Sequence, residues 1–213
     1  YKKSQNRLCS SNFVKVYKLS NQQIFITFVG NKNIVMTTEN TQLVILDIQG
    51  KLSQIVYQSE EVLRNSSILI EGCKHLELPI VWVEQMPDKL GVTHPVIAEL
   101  LSSKTPVKKS SFSAWDNTEF QQQLYDNQRK KVLLIGIETH ICIYQTAIDL
   151  LANGYEVSVI ADAVSSRTES NKQIGLTMLR DAGATLLSTE AALFALLRTA
   201  EHPKFKEIAR LVK

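Results

Sequence analysis

The sequence contains no apolar run near the ~20 residues that a membrane-crossing helix requires. Its longest candidate close to the start, "IFITFV" at Ile24–Val29, is far too short, so a soluble chain with no membrane partner is expected. Strong charge imbalance is missing as well. A net charge of +3 on 213 residues provides no basic field of the kind a nucleic-acid binder presents, and nucleic acid is dropped as a partner. Cysteine is scarce. Cys9, Cys73 and Cys142 form no even set and no CxxC pair, which argues against a disulfide framework and suits a reducing, cytoplasmic compartment. The four histidines, His75, His94, His140 and His202, show neither HxH nor HExxH spacing, so no metal and no other cofactor is expected. Internal repeats and low-complexity tracts are absent too.

What is present is enough apolar content, 44%, for one continuous core in a chain of this length. One main domain follows. Residues 1–35 differ from the rest: they hold six Lys or Arg and no Asp or Glu, a charge of +6, against −3 for residues 36–213. That is a composition break. "FVKVYKL" and "QIFITFV" are rich in β-branched and aromatic residues and read as two strands joined by "SNQQ". Met36 begins "MTTENTQLVILDIQG", which reads like a natural start, so an extension from outside the original frame is an equal alternative. A cationic targeting peptide is the weakest of the three readings.

From Thr41 onward strand and helix signals alternate. "LVILDI" is a short apolar run of β-forming residues, as in a buried parallel strand. Apolar residues at helical spacing cover Glu60 to Leu76, Pro79 leads into the strand "IVWVEQ", and "MPDKLGVTHP" reads as loop before a short helix over Val96–Leu101. "NTEFQQQLYDN" reads as a helix capped by Asn117 or Thr118. The strand Lys131–Ile137 then feeds the helix that holds Cys142, closed by Asn153–Gly154. The strand "YEVSVIAD", a helix over Ser170–Ala182 stopped by Gly183, the strand "TLLS", and helices at Thr189–Arg198 and Pro203–Val212 complete the chain. This spacing predicts an α/β fold with a parallel sheet covered by helices on both faces. Ligands in such sheets bind beyond the carboxyl ends of the strands, near the point where strand order reverses.

Several reactive side chains fall at those ends. Asp47 and Gln49 follow the first strand, Glu84 and Gln85 end the second, Lys108 and Lys109 follow Pro106, and the strand Val132–Ile137 leads to Cys142. Each has an ordinary explanation. Asp47 reads as a turn aspartate, Lys109 as a solvated lysine and Cys142 as core filling. Their joint placement argues for chemistry. With Thr139 as the cap, Cys142 lies in the first helical turn, where backbone N–H groups point outward and can hold an oxyanion. The helix N-terminus and a nearby cation are expected to lower the thiol pKa, and a carboxylate at Asp47 can accept its proton and return it to a leaving group. His140 adjoins the cysteine, but two helix positions diverge by roughly 200°, so it reads as a helix-surface residue. Phe112 and Trp115 are candidate pocket walls, Trp115 because it follows Lys109 in an expected loop.

"LDIQ" with Asp47, "KSSFSAW" with Lys109 and "GIETHICI" with Cys142 resemble, in order, the three catalytic motifs of the isochorismatase-like cysteine hydrolases. "VEQMPDKLG", "ADAVSSR" and "HPKFKEIARLVK" extend the likeness toward the isochorismatase domain-containing group. The resemblance covers about Thr41 to Lys213. It implies a Rossmann-like three-layer sandwich around a six-stranded parallel sheet, with residues 36–213 as the hydrolase domain. It further implies Asp47 as general base, Lys109 as electrostatic partner and Cys142 as the nucleophile that forms a thioacyl intermediate. The Glu138 and Cys142 amides become the oxyanion hole, with a non-proline cis peptide at Ile137–Glu138. Gln49, Gln85, Phe112, Trp115 and Thr139 are carried as pocket residues, and self-association is expected, as is common among relatives. Nicotinamidases of the family use an Asp-x-His metal site, where this sequence has "DIQ". Members that hydrolyse the vinyl ether of isochorismate lack the cysteine, so Cys142 argues against the chemistry in the family's name.

The leading expectation is a metal-free cysteine hydrolase, an amidohydrolase acting on a small amide-like or other acyl metabolite. An interaction or regulatory module with little turnover is the alternative. A redox-responsive thiol is disfavoured, because no resolving cysteine lies nearby in sequence.

Overall fold

Strand residues that alternate between two apolar surroundings build the sheet. In the computed structural model, which describes residues 15–19, 22–26 and 35–213, Leu43 and Ile45 enter one hydrophobic cluster while Val44 and Leu46 enter another. Successive side chains of a strand point to opposite faces, so an unbroken apolar run fills a core on each side. The expected sandwich of helices around a parallel sheet is found.

Two segments near the start, β1 (Lys15–Leu19) and β2 (Gln22–Ile26), pair antiparallel with Leu19 opposite Gln22. Of the turn expected at "SNQQ", Ser20 and Asn21 lie outside the described residues, as does Cys9, whereas Gln22 and Gln23 belong to β2. The main sheet begins with β3 (Thr41–Leu46), followed by helices α1 (Leu52–Ile55) and α2 (Ser59–His75). Strand β4 (Ile80–Gln85) leads through α3 (Pro87–Leu90) and α4 (Pro95–Leu100) to the short β5 (Val107–Lys109). A 3₁₀ turn at Ala114–Asp116 precedes α5 (Thr118–Asp126) and β6 (Lys131–Ile137). A π-helical turn over Thr139–Ile143 runs into α6 (Tyr144–Ala152). The chain finishes with β7 (Glu156–Ser165), α7 (Glu169–Asp181), β8 (Thr185–Leu187), α8 (Thr189–Leu197) and α9 (Phe205–Leu211).

The six strands lie in the order β5-β4-β3-β6-β7-β8, all parallel. From β3 the chain steps outward to β5, then returns to place β6 on the other side of β3. The order therefore reverses between β3 and β6, where their loops part and leave a crevice. Side chains from α2, α4, α8 and α9 cover one face, including Leu69, Ile97, Leu193 and Ile208. Phe120 of α5, Ala147 of α6 and Leu179 of α7 help cover the other.

Three departures from the sequence reading matter for the site. Lys109 ends a short strand that the sequence reading did not assign, because Val107–Lys109 pairs with Val83–Gln85. Pro87–Leu90 forms a helical turn instead of open loop, with Pro87 at its first position, where a missing N–H costs nothing. The helix expected to begin at a Thr139 cap opens as a π turn after Glu138, and Thr139 makes no capping hydrogen bond.

Candidate active site

Asp47, Lys109 and Cys142 come together at the carboxyl edge of the sheet. Asp47 is the first residue past β3 and has a left-handed backbone (φ 57°). Cys142 sits in the π turn past β6, so the acid and the thiol stand on the two sides of the strand-order reversal. Lys109 reaches them from the edge strand across the end of β4. Its Nζ lies 2.8 Å from Asp47 Oδ2, donates to Gln85 Oε1, and donates to the carbonyls of Ser111 at 3.1 Å and Phe112 at 3.2 Å. The ammonium is thus fully committed. The Cys142 thiol lies 3.9 Å from the same Gln85 oxygen.

All three residues are buried: Asp47 is 4% exposed, Lys109 4% and Cys142 8%. Burial raises the Asp47 pKa above its ordinary value, while the Lys109 charge and hydrogen bond, and the thiol beside it, pull it back. Asp47 Oδ1 is buried with no hydrogen-bond partner among the described residues, which leaves one carboxylate oxygen open to receive a proton. The thiol behaves contrary to the sequence expectation. Burial and the Asp47 charge together outweigh Lys109 and push Cys142 up to about 12. The cation that was to lower it is already paired with the carboxylate. At neutral pH the resting cysteine is therefore a thiol, and its proton has to leave as the sulfur attacks.

The backbone here needs its exact residues. The peptide bond between Ile137 and Glu138 is cis, as the resemblance implied. One residue earlier, Gly136 has φ +130°, and a Cβ there would stand 1.9 Å from the Leu46 carbonyl oxygen. Only glycine lets β6 press against β3 at the point where the two site loops diverge. Glu138 turns its carboxylate away to Arg167, accepting from the backbone N–H at 2.8 Å and from Nε at 3.2 Å.

Asp47 and Cys142 line a cavity of about 350 Å³, together with the apolar residues Leu52, Leu90, Phe112 and Ile141 among others, while Lys109 stands behind Asp47 outside the lining. That suits a small ligand. Of the expected pocket residues, Gln49, Gln85 and Phe112 line it, whereas Trp115 and Thr139 do not. Trp115 instead packs edge-on against Tyr125 and Tyr155, where two aromatic rings offer it favourable edge-to-face contacts. Thr139 is fully buried beneath α7, with its methyl group against Gly175.

Both glutamines are scaffold. Gln49 donates to the carbonyls of Gln85 and Gly91 and accepts from the Gln85 N–H. Gln85 donates to the Ser110 carbonyl and accepts from Lys109. His140 is half-buried, bonded through Nδ1 to Ser166 at 2.9 Å, so it is neither a free surface residue nor part of the cavity lining. Lys51 and Lys89 also line the cavity. Sequence reading missed them because exposed lysines carry no spacing signal.

Among the described residues, no group of three or more His, Cys, Asp or Glu is gathered for a metal ion, and no helix is long and apolar enough to cross a membrane.

Comparison with known proteins places this geometry in context. The isochorismatase domain model matches residues 41–191. The chain is 37% identical to isochorismatase domain-containing protein 2 of Danio rerio over 178 residues, covering 83% of this chain and 89% of that protein. It is 38% identical to a secreted isochorismatase effector of Phytophthora sojae over 176 residues, covering 80% of this chain and 83% of the effector. Among solved structures, a MAR1 ribonuclease from Caenorhabditis elegans superposes with a TM-score of 0.78 at 34% identity, covering 83% of this chain and 91% of that one.

Proposed function

The chain belongs to the isochorismatase family of hydrolases, and from that premise we propose that it is a metal-free cysteine hydrolase acting on a small amide or other acyl compound. The observation that carries the reading is that Asp47 and Cys142 line one cavity with Lys109 behind them, Nζ and Oδ2 2.8 Å apart and the second carboxylate oxygen unpartnered among the described residues.

Cys142 Sγ attacks the acyl carbon while Asp47 takes the thiol proton, so sulfur is never a free anion in the buried site. The developing oxyanion is held by the amides of Glu138 and Cys142. Asp47 gives the proton to the leaving nitrogen or oxygen, and the C–N or C–O bond breaks to leave a thioester on Cys142. Water, deprotonated by Asp47, attacks that thioester, and the proton returns to sulfur as the acid product leaves. Lys109 keeps the carboxylate ionised enough to act as base and holds it in place. The raised thiol pKa is compatible with this order of events, since proton transfer and attack occur in one step.

The elevated thiol also favours a second reading, an interaction or regulatory module without turnover. One experiment separates them. A panel of small amides, activated esters and aldehydes is presented to the protein and to Cys142→Ala, with turnover and Cys142 adducts both followed by mass spectrometry. Turnover lost in a folded Cys142→Ala variant supports the hydrolase. Turnover that survives the substitution, or no turnover and no adduct with any compound, rejects it. Localisation and self-association stand as proposals, to be checked by fractionation and by sedimentation.

A further inference from the structure

We propose that the substrate carries an anionic group remote from its scissile acyl carbon, received by Lys51 and Lys89. This deepens the hydrolase reading and rests on it for the identity of the reacting end.

Charge balance in the cavity is the first argument. The cavity lining includes four residues with acidic or basic side chains: Asp47, Glu138, Lys51 and Lys89. Both acids are matched by cations, Asp47 by Lys109 and Glu138 by Arg167. Neither lysine makes an ion pair among the described residues. The cavity therefore presents two uncompensated positive charges. Both are exposed, whereas Asp47 and Cys142 are buried, so the cationic end is the solvent end and the reactive end is the floor. The lining also holds the apolar residues Leu52, Leu90, Phe112 and Ile141. An acyl group at the floor, a short apolar body and an anionic tail match these three kinds of lining.

The two lysines are also set by a clamp rather than scattered on the surface. Gln49 pairs with Thr93 in an antiparallel bridge, the Gly50 N–H donates to the Val92 carbonyl at 3.0 Å, and Gln49 Nε2 donates to the Gly91 carbonyl at 2.7 Å. The two segments touch backbone to backbone: a Cβ on Gly50 would stand 1.8 Å from the Leu90 carbonyl oxygen, and one on Gly91 would stand 3.1 Å from Gly50 Cα. Lys51 follows the first glycine and Lys89 precedes the second by two residues. Their backbones are consequently fixed together, and a ligand pays little to gather them.

The test uses two slim thiol reagents of equal length, 4-(iodoacetamido)butyrate and 4-(iodoacetamido)butanamide, which differ only in the terminal charge. The ratio of their labelling rates at Cys142, read by peptide mass spectrometry, is normalised to the ratio for glutathione. At low ionic strength the wild-type ratio should favour the anion by about fivefold, as two exposed ammonium–carboxylate contacts allow, and the preference should shrink in high salt. Lys51→Gln with Lys89→Gln should return the ratio to that of glutathione, whereas a control pair of the same charge, Lys104→Gln with Lys206→Gln, should keep it. Equal rates in the wild type, an unchanged ratio in the first double variant, or no labelling by either reagent when the denatured chain is fully labelled would overturn the proposal. Alkylation needs no turnover, so a negative hydrolase assay with a positive ratio would reject the catalytic reading while leaving the anion site intact.

Discussion

Lys109 Nζ meets Asp47 Oδ2 at 2.8 Å in a buried setting, although 62 residues of chain separate them. Breaking such a pair from one side leaves a charge in low dielectric. Lys109→Met should cost ~3–5 kcal/mol at neutral pH, and adding Asp47→Asn should recover part of it. The pH dependence has a definite sign. Asp47 has a folded-state pKa above its ordinary 3.8, so it contributes stability below that value that is lost as pH rises through the folded pKa. Removing the lysine raises that pKa further. Denaturation curves should then show the variant's deficit larger near neutrality than at about pH 4; a deficit independent of pH would contradict the pairing.

Cys142, held up to about 12, should react with iodoacetamide in the native protein far more slowly than a free thiol, by roughly two orders of magnitude or more at mildly alkaline pH. Asp47→Asn removes an anionic neighbour that raises the thiol pKa and should speed labelling. Cys73, fully buried and also pushed up to about 12 by burial alone, should stay unlabelled until the chain unfolds. Mass-resolved labelling rates against pH check all three statements.

Gly136→Ala should be among the most damaging single substitutions in the chain. Its Cβ would meet the Leu46 carbonyl oxygen at 1.9 Å with φ at +130°, and the central strands cannot separate without losing both cores. A loss of ~4 kcal/mol or more is expected, read as insoluble expression or a collapsed melting temperature.

Phe112 and Trp115, three residues apart, should respond in opposite ways. Phe112 is 55% exposed and lines the cavity, so Phe112→Ala should raise KM while shifting stability by less than about 0.5 kcal/mol. Trp115 packs on Tyr125 and Tyr155, so Trp115→Ala should cost about 2 kcal/mol of stability with KM unchanged.

How far the sequence can be read is visible in particular residues. Asp47 and Cys142 were legible because each follows a strong apolar strand, Asp47 directly and Cys142 in the turn beyond, and the end of a parallel strand is where sites form. The alternation of strands and helices likewise gave the layered architecture. The setting of Lys109 was only half legible: its closeness to Asp47 followed from the resemblance, but three residues with "VKK" carry too little pattern to announce a strand. Trp115 was misplaced because following Lys109 in sequence says nothing about which way an indole turns when Tyr125 and Tyr155 offer it their rings. The thiol pKa was misjudged for a related reason. The resemblance brings a cation near the thiol, but does not show that a carboxylate has already claimed it.

Strand β5 spans only Val107–Lys109 and lies at the border of the sheet, held by β4 alone. The cation of the proposed triad thus hangs from one of the shortest strands, with a single pairing partner. Elements of this kind fray first, so a small excursion of β5 would dismantle the triad ahead of global unfolding. Loss of turnover at denaturant concentrations well below the unfolding midpoint would be the outward sign of that seam.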